Sequence, residues 1–257
     1  MIAESFNHLI EMVFAPLEGN INAATPAGLL LLGLVIGLRH SMEADHVAAV
    51  STIVAGNSKS KFRAPMLGAL WGLGHTASLF VAGLVVLLLA ISIPQKVSNT
   101  LEFGVGIMLV FLGATTMTGF SAGKLLRGIT GRGQHKHVHV HDDTGVMHSH
   151  EHDHHDHGHG HKSLLVGMVH GMAGSGALML VVLSTINSVP LGLAYIAIFG
   201  AGSIASMAAM STLISLPFAK ARNRKLSLAL KYVSAVIALA IGAGLMYELG
   251  IVQQIFL

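Results

Sequence analysis

Long apolar stretches separated by short polar connections run through most of the chain. Six of them, at about 26–55, 64–92, 101–120, 164–187, 190–218 and 229–250, are long enough to cross a bilayer. A hydrocarbon core of about 30 Å needs roughly 20 apolar residues in helical form. The pattern therefore predicts six transmembrane helices. Pro26, Pro65 and Pro190 fall near the starts of three spans, where a missing N–H costs little, and Pro94 closes the second. Residues 1–18 follow a different rhythm. Ile2, Phe6, Leu9, Ile10, Val13, Phe14 and Leu17 recur at helical spacing among Glu4, His8 and Glu11. This predicts an amphipathic helix lying in the membrane interface. The stretch lacks a basic start and makes a poor signal peptide.

Composition strengthens the membrane reading. Hydrophobic residues make up 53% of the 257, and charged residues only 11%. Soluble domains carry roughly 25% charged residues. The mean hydropathy is +0.68. A net charge of +3 with a pI near 9.3 raises the question of nucleic acid. With 5% aromatics and the basic residues scattered between apolar segments, no basic binding face emerges. The basic residues instead set orientation. Lys59, Lys61 and Arg63, then Lys124, Arg127, Arg132, Lys136 and Lys162, then Lys220, Arg222, Arg224, Lys225 and Lys231 occupy connections on one side; the other side carries only Lys96. Thirteen against one places the first group in the cytoplasm. Both termini are then outside, in a multi-pass protein of the plasma membrane.

The two halves resemble each other at an offset near 129 residues. GLRHSME (37–43) matches GMVHGMA (167–173), WGLGHTAS (71–78) matches FGAGSIAS (199–206), and 101–117 matches 230–246. Each half has three spans, so the second copy enters from the opposite face, as in the inverted repeats of secondary transporters. The expected fold is an all-α integral membrane protein with six transmembrane helices as a 3+3 inverted repeat and an N-terminal amphipathic helix. Its divisions are an N-terminal segment 1–25, a first repeat 26–122, a loop 123–163 and a second repeat 164–257.

The polar residues that break the pattern carry the chemistry. Within the first span, Ala27–Leu38 leads into RHSMEADH (39–46), followed by nine more mostly apolar residues. Each charge at the bilayer centre costs about 2.5–3.5 kcal/mol on insertion scales. A short helix ending at Leu38 with the motif in a solvated loop is the alternative, but the apolar run before the motif is too short to span. At about 100° per residue, His40, Glu43 and His46 are neighbours while Asp45 points away from Glu43. Either the helix unwinds here or one carboxylate orients a histidine from behind, a role open to Asp45. Arg39 is expected to neutralise one of these carboxylates. Glu43 and Asp45 are the only clearly mid-membrane acids. His75 stands among Gly72, Gly74, Ala77 and Ser78, which permit close helix approach, and is expected to join the site. His170 near the cytoplasmic end of span four suits a structural or an exit-path role. Met42 and Met172 occupy matching repeat positions, where packing is favoured over thioether ligation. The second half has Ala173, Ser175, Gly176 and Ser203 where the first has Glu43, Asp45, His46 and His75, so the site is built mostly by the first half.

HSMEADH (40–46), the following AAVST and LGHTAS (73–78) resemble the signature of the nickel/cobalt transporter family, in its branch of urease-associated nickel permeases. The resemblance covers the first two spans well and the rest loosely. It implies transport of Ni²⁺, sometimes Co²⁺, as substrate rather than catalytic cofactor, with His40, Asp45 and His46 essential. Cytoplasmic nickel chaperones of urease or hydrogenase maturation are the implied protein partners. Many members have eight spans, and the family's second-half acidic motif is not evident in HGMAGSGAL (170–178).

The sequence holds 17 His and no Cys. Thiolate zinc sites and disulfides are excluded. Twelve histidines lie in one loop: His135, His137, His139, His141, His148, His150, His152, His154, His155, His157, His159 and His161. This stretch has no apolar period and is expected to be disordered, acting as a cytoplasmic metal buffer. Imidazole suits Ni, Co, Cu and Zn alike. Uptake is the expected direction, because a dication gains about 4.6 kcal/mol from a 100 mV potential. Efflux is the alternative. An intramembrane metalloenzyme is a weaker one, since no H-E-x-x-H is present.

Overall fold

The computed structural model describes residues 2–56, 63–89, 94–119, 138–140, 147–149, 158–172, 182–183, 185–186, 188–221 and 223–255. Helix α1 covers Ile2–Gly19, α2 Pro26–His40, α3 Ala44–Gly56, α4 Arg63–Leu89 and α5 Gln95–Thr118. After the loop come α6 (Gly158–Met172), α7 (Val189–Lys220) and α8 (Arg224–Tyr247), the last continuing as a π-helical turn, Glu248–Val252. Regular secondary structure among the described residues is helical apart from two three-residue strands, Val138–Val140 and Met147–Ser149, paired antiparallel with His139 opposite His148.

Local chemistry sets the helix ends. Thr25 caps α2, its hydroxyl accepting the Gly28 N–H at 3.1 Å, with Pro26 in the first turn. Ser188 and Asn223 cap α7 and α8 in the same way. Pro94 precedes α5, so that helix starts at Gln95, six residues before the apolar pattern signals it. Gly119 ends it at φ 66°, a left-handed cap that glycine adopts freely.

Four helices, α4, α5, α7 and α8, are long and apolar enough to cross a membrane. Helices α2 and α3 pass the same test only as a pair, bent by 55° at the break between them, which makes five if the pair is counted as one span. The expected span at 164–187 is represented by α6, which starts earlier, inside the histidine run, and is followed only to Met172; residues 173–181 lie outside the described residues.

Glycine contacts reveal how the helices run. Gly33 lies against Tyr195, Gly37 against the Phe199 carbonyl, and the Ser41 hydroxyl against Ser203. Each step of four residues along α2 is matched by four in the same sense along α7, so the two are parallel. Likewise Ser163 bonds the Leu67 carbonyl, Gly167 meets Trp71 and Gly171 meets His75, making α6 parallel to α4. In contrast α4 and α7 are antiparallel: Ser211 bonds the Ala64 carbonyl, Gly68 meets Met207 and Gly72 meets Ile204. Helices α5 and α8 are antiparallel too, through Gly106 with Gly242 and Gly113 with Ala235. Small residues are what allow this approach.

Two apolar cores result. One gathers Ala48, Ala49, Val54, Trp71, Leu109 and Met207 around α3. The other gathers Ile36, Leu79, Tyr195, Ile196 and Phe199 between α2, α4 and α7. Leu31, Val81, Leu88, Phe111, Leu213 and Val236 point outward and remain exposed, as lipid-facing side chains do. Helix α1 docks on this body through Ala3 and Phe6, while Leu9, Met12, Val13 and Leu17 stay exposed.

Candidate metal centre

Three residues, Ser41 to Glu43, interrupt the first span. The N–H groups of Met42 and Glu43 donate to the carbonyls of Arg39 (2.9 Å) and His40 (3.2 Å), a tighter turn than an α-helix. The Ser41 hydroxyl donates to the Gly37 carbonyl at 3.1 Å and lies 2.8 Å from the Ser203 hydroxyl. Helix α3 then restarts at Ala44, whose N–H is capped by the Asn7 side chain of α1 at 2.8 Å. A break here satisfies the expectation that one regular helix cannot aim the whole motif inward.

The break turns His46 back toward His40, with ring centroids 4.6 Å apart in an edge-on arrangement. His75 of α4 adds the third ring, 5.3 Å from His40 and 5.1 Å from His46. His170 of α6 closes the group at 4.1 Å from His46. His46, His75 and His170 are fully buried and His40 is 3% exposed. His40 and His75 face each other Nε2 to Nε2 at 3.2 Å. His46 Nε2, His75 Nδ1 and His170 Nδ1 have no hydrogen-bond partner among the described residues. Leaving buried polar atoms unpaired is costly, about 1–3 kcal/mol each. Donor atoms of His40, His46 and His75 lie within 4.8 Å of one another, as do those of Asp45, His46 and His170. His46 belongs to both groups.

Carboxylates fix the rings. Asp45 Oδ1 faces His46 Nδ1 at 2.9 Å and Asp45 Oδ2 faces His170 Nε2 at 3.0 Å. Glu43 Oε2 faces His40 Nδ1 at 3.3 Å. A carboxylate only accepts, so the imidazole nitrogen beside it carries the hydrogen and the other presents its lone pair. Asp45 and Glu43 thus direct the Nε2 atoms of His46 and His40 inward, the arrangement common behind metal-bound histidines.

Several sequence expectations are revised. Arg39 does not pair with the motif's carboxylates; it reaches Glu18 of α1 at 3.1 Å, because its position on α2 turns it toward the packed N-terminal helix. Glu18 was invisible to the sequence reading, lying at the end of what reads as a surface helix. His170, read as structural or on an exit path, sits against Asp45 in the histidine cluster, on a helix that begins earlier than the apolar run indicates. The one legible signal was its alignment with His40 across the halves. A further, partly buried acid stands near Glu43 and Asp45. Glu102 lies two turns into α5 because that helix starts at Gln95, and it is within electrostatic reach of both. Met42 lies half-buried in the break. The loop histidines fall outside the described residues, apart from the backbones of His139, His148, His159 and His161, and so does the Met172 side chain.

Two known proteins are similar in sequence to this chain. Urease accessory protein UreH of Bacillus sp. (strain TB-90) is 37% identical over 229 residues, covering 89% of this chain and 94% of that protein. The chain belongs to the nickel/cobalt transporter family, in its urease-accessory branch. Nickel/cobalt transporters are permeases and not enzymes, which removes the metalloenzyme alternative. A chloroplast protein of Arabidopsis thaliana, FOR GROWTH AND FERTILITY 1, is 38% identical over 84 residues, 32% of this chain and 22% of that protein. No protein-family model and no solved structure matches the chain.

Proposed function

We propose that this chain is a permease carrying Ni²⁺, and Co²⁺ through the same donors, into the cytoplasm. The observation that carries the proposal is the buried His40–His46–His75 triad at the break of a membrane span, with unpartnered imidazole nitrogens. All-imidazole donors suit borderline divalent metals. Asp45 and Glu43 orient the triad, and the Asp45–His46–His170 group supplies a second station that shares His46. A metal ion passes between the stations by exchanging His40 and His75 for His170 and Asp45 while keeping His46. Arg39, held by Glu18, adds positive charge near the path without binding metal.

The reading includes the six-span, 3+3 inverted arrangement, with α6 and the residues after it as the fourth crossing and α1 lying at the interface. It is supported by α2 and α6, the first helices of the two halves, running in opposite directions. The termini are outside, and the histidine loop buffers metal in the cytoplasm, where nickel chaperones of urease or hydrogenase maturation collect it. Uptake follows from charge: a dication moving inward gains about 4.6 kcal/mol per 100 mV, roughly three decades of accumulation.

The test is nickel flux in proteoliposomes. An inside-negative potential of about 100 mV should raise accumulation by one decade or more over zero potential, and His46→Ala should abolish it. Equal flux by wild type and His46→Ala would end the proposal. Nickel tolerance with reduced cell nickel on expression would identify an exporter instead.

A further inference from the structure

Two aromatic rings outside the donor set lie against it from opposite sides, and they are built alike. Trp71 stands on α4 one turn before His75, with its ring 5.9 Å from His46 and nearly parallel to it, 23° between planes, and 5.5 Å from His170. Phe199 stands on α7 one turn before Ser203, with its ring 5.7 Å from His40 at 37°. Each is 1% exposed. Each rests on a glycine that lies three residues before a cluster histidine: the Trp71 carbonyl and ring on Gly167, before His170, and the Phe199 carbonyl on Gly37, before His40. Each is therefore clamped between a helix of one half and a helix of the other.

Helix direction separates the two rings. Trp71 and Gly167 lie toward the N-terminal ends of α4 and α6 relative to the histidines. Phe199 and Gly37 lie toward the N-terminal ends of α2 and α7, which run the opposite way. One ring therefore closes the cluster toward one membrane face and the other toward the opposite face. Trp71 Nε1 has no hydrogen-bond partner among the described residues, so swinging the indole aside breaks no hydrogen bond there. The chain has one Trp, and it is here.

We propose that Trp71 and Phe199 are the two gates of the permeation path, Trp71 toward the cytoplasm and Phe199 toward the outside. This rests on the transport reading and the orientation given above. The geometry described is the occluded state, with both gates shut over the histidines. Transport moves one ring at a time, because both open together would make a continuous pore and lose the gradient. The metal reaches His40 beneath Phe199 and leaves from His170 beside Trp71.

Sided thiol labelling tests the assignment. The chain has no Cys, so Ser203→Cys introduces a single thiol at a fully buried position one turn from Phe199. A charged, membrane-impermeant methanethiosulfonate is applied from either side of oriented vesicles. Adding Phe199→Ala should raise the labelling rate tenfold or more from outside and leave the cytoplasmic rate unchanged. Adding Trp71→Ala should do the reverse. Equal increases from both sides, or no increase from either, would overturn the assignment. Where an alanine variant is not recovered from membranes, Phe199→Val and Trp71→Leu are read by the same criterion. Nickel flux by the wild-type protein is measured alongside. No flux means the transport reading itself fails; flux without sided labelling means only the gates do.

Discussion

His46 is set up by its immediate neighbour. Asp45 occupies both His46 Nδ1 and His170 Nε2, so one carboxylate determines how two buried rings are turned. Asp45→Asn keeps the shape but removes the charge and replaces one acceptor oxygen with a donor. It should weaken nickel binding by about 10–100-fold, the usual cost of losing the group behind a metal-bound histidine, while leaving folding intact. Titration of purified protein with Ni²⁺ checks this; unchanged affinity would show that Asp45 does not orient the site. Much of the centre could be read from residue type and depth alone, since HSMEADH and His75 are too polar to sit in a membrane without a purpose. Glu18, Trp71 and Phe199 could not. A Glu at the end of an amphipathic helix and aromatics in an apolar span look ordinary until tertiary packing brings them to the histidines.

At the level of elements, hydropathy located the four long apolar helices and the bent α2–α3 pair, because the bilayer imposes a length on each. It could not place the breaks and starts, which depend on single caps: Asn7 restarting α3, Pro94 starting α5, and α6 beginning at Gly158. Those shifts of a turn or two set His170 well inside α6 and Glu102 two turns into α5. Helix approach depends on glycines that face backbone. A Cβ at position 167 would collide with the Trp71 carbonyl oxygen, a backbone atom that cannot turn aside as a side chain can. Gly167→Ala should therefore destabilise the protein by about 1–3 kcal/mol, as overpacking does. Gly104→Ala meets nothing within 4 Å and should be neutral or stabilising by about 0.5–1 kcal/mol. Thermal unfolding in detergent compares them, and equal melting of the two variants would contradict the packing described.

Across the whole molecule, the 17 histidines divide by location rather than by kind. Four are buried together with fixed partners, twelve share one loop, and His8 lies on α1. Deleting residues 135–157 should lower the number of nickel ions held per protein by several while leaving the flux in proteoliposomes within about twofold, since imidazoles without fixed geometry bind metal without forming a pathway. Equilibrium dialysis and flux on the same preparation would show it, and a flux lost with the loop would give the loop a transport role. The glycine contacts have a mechanical consequence. Where glycine meets a neighbour's carbonyl, no side chain is locked into a hole on the opposing helix. In the proposed transport cycle such contacts let α2 slide locally on α7, and α6 on α4, without withdrawing a side chain from a pocket.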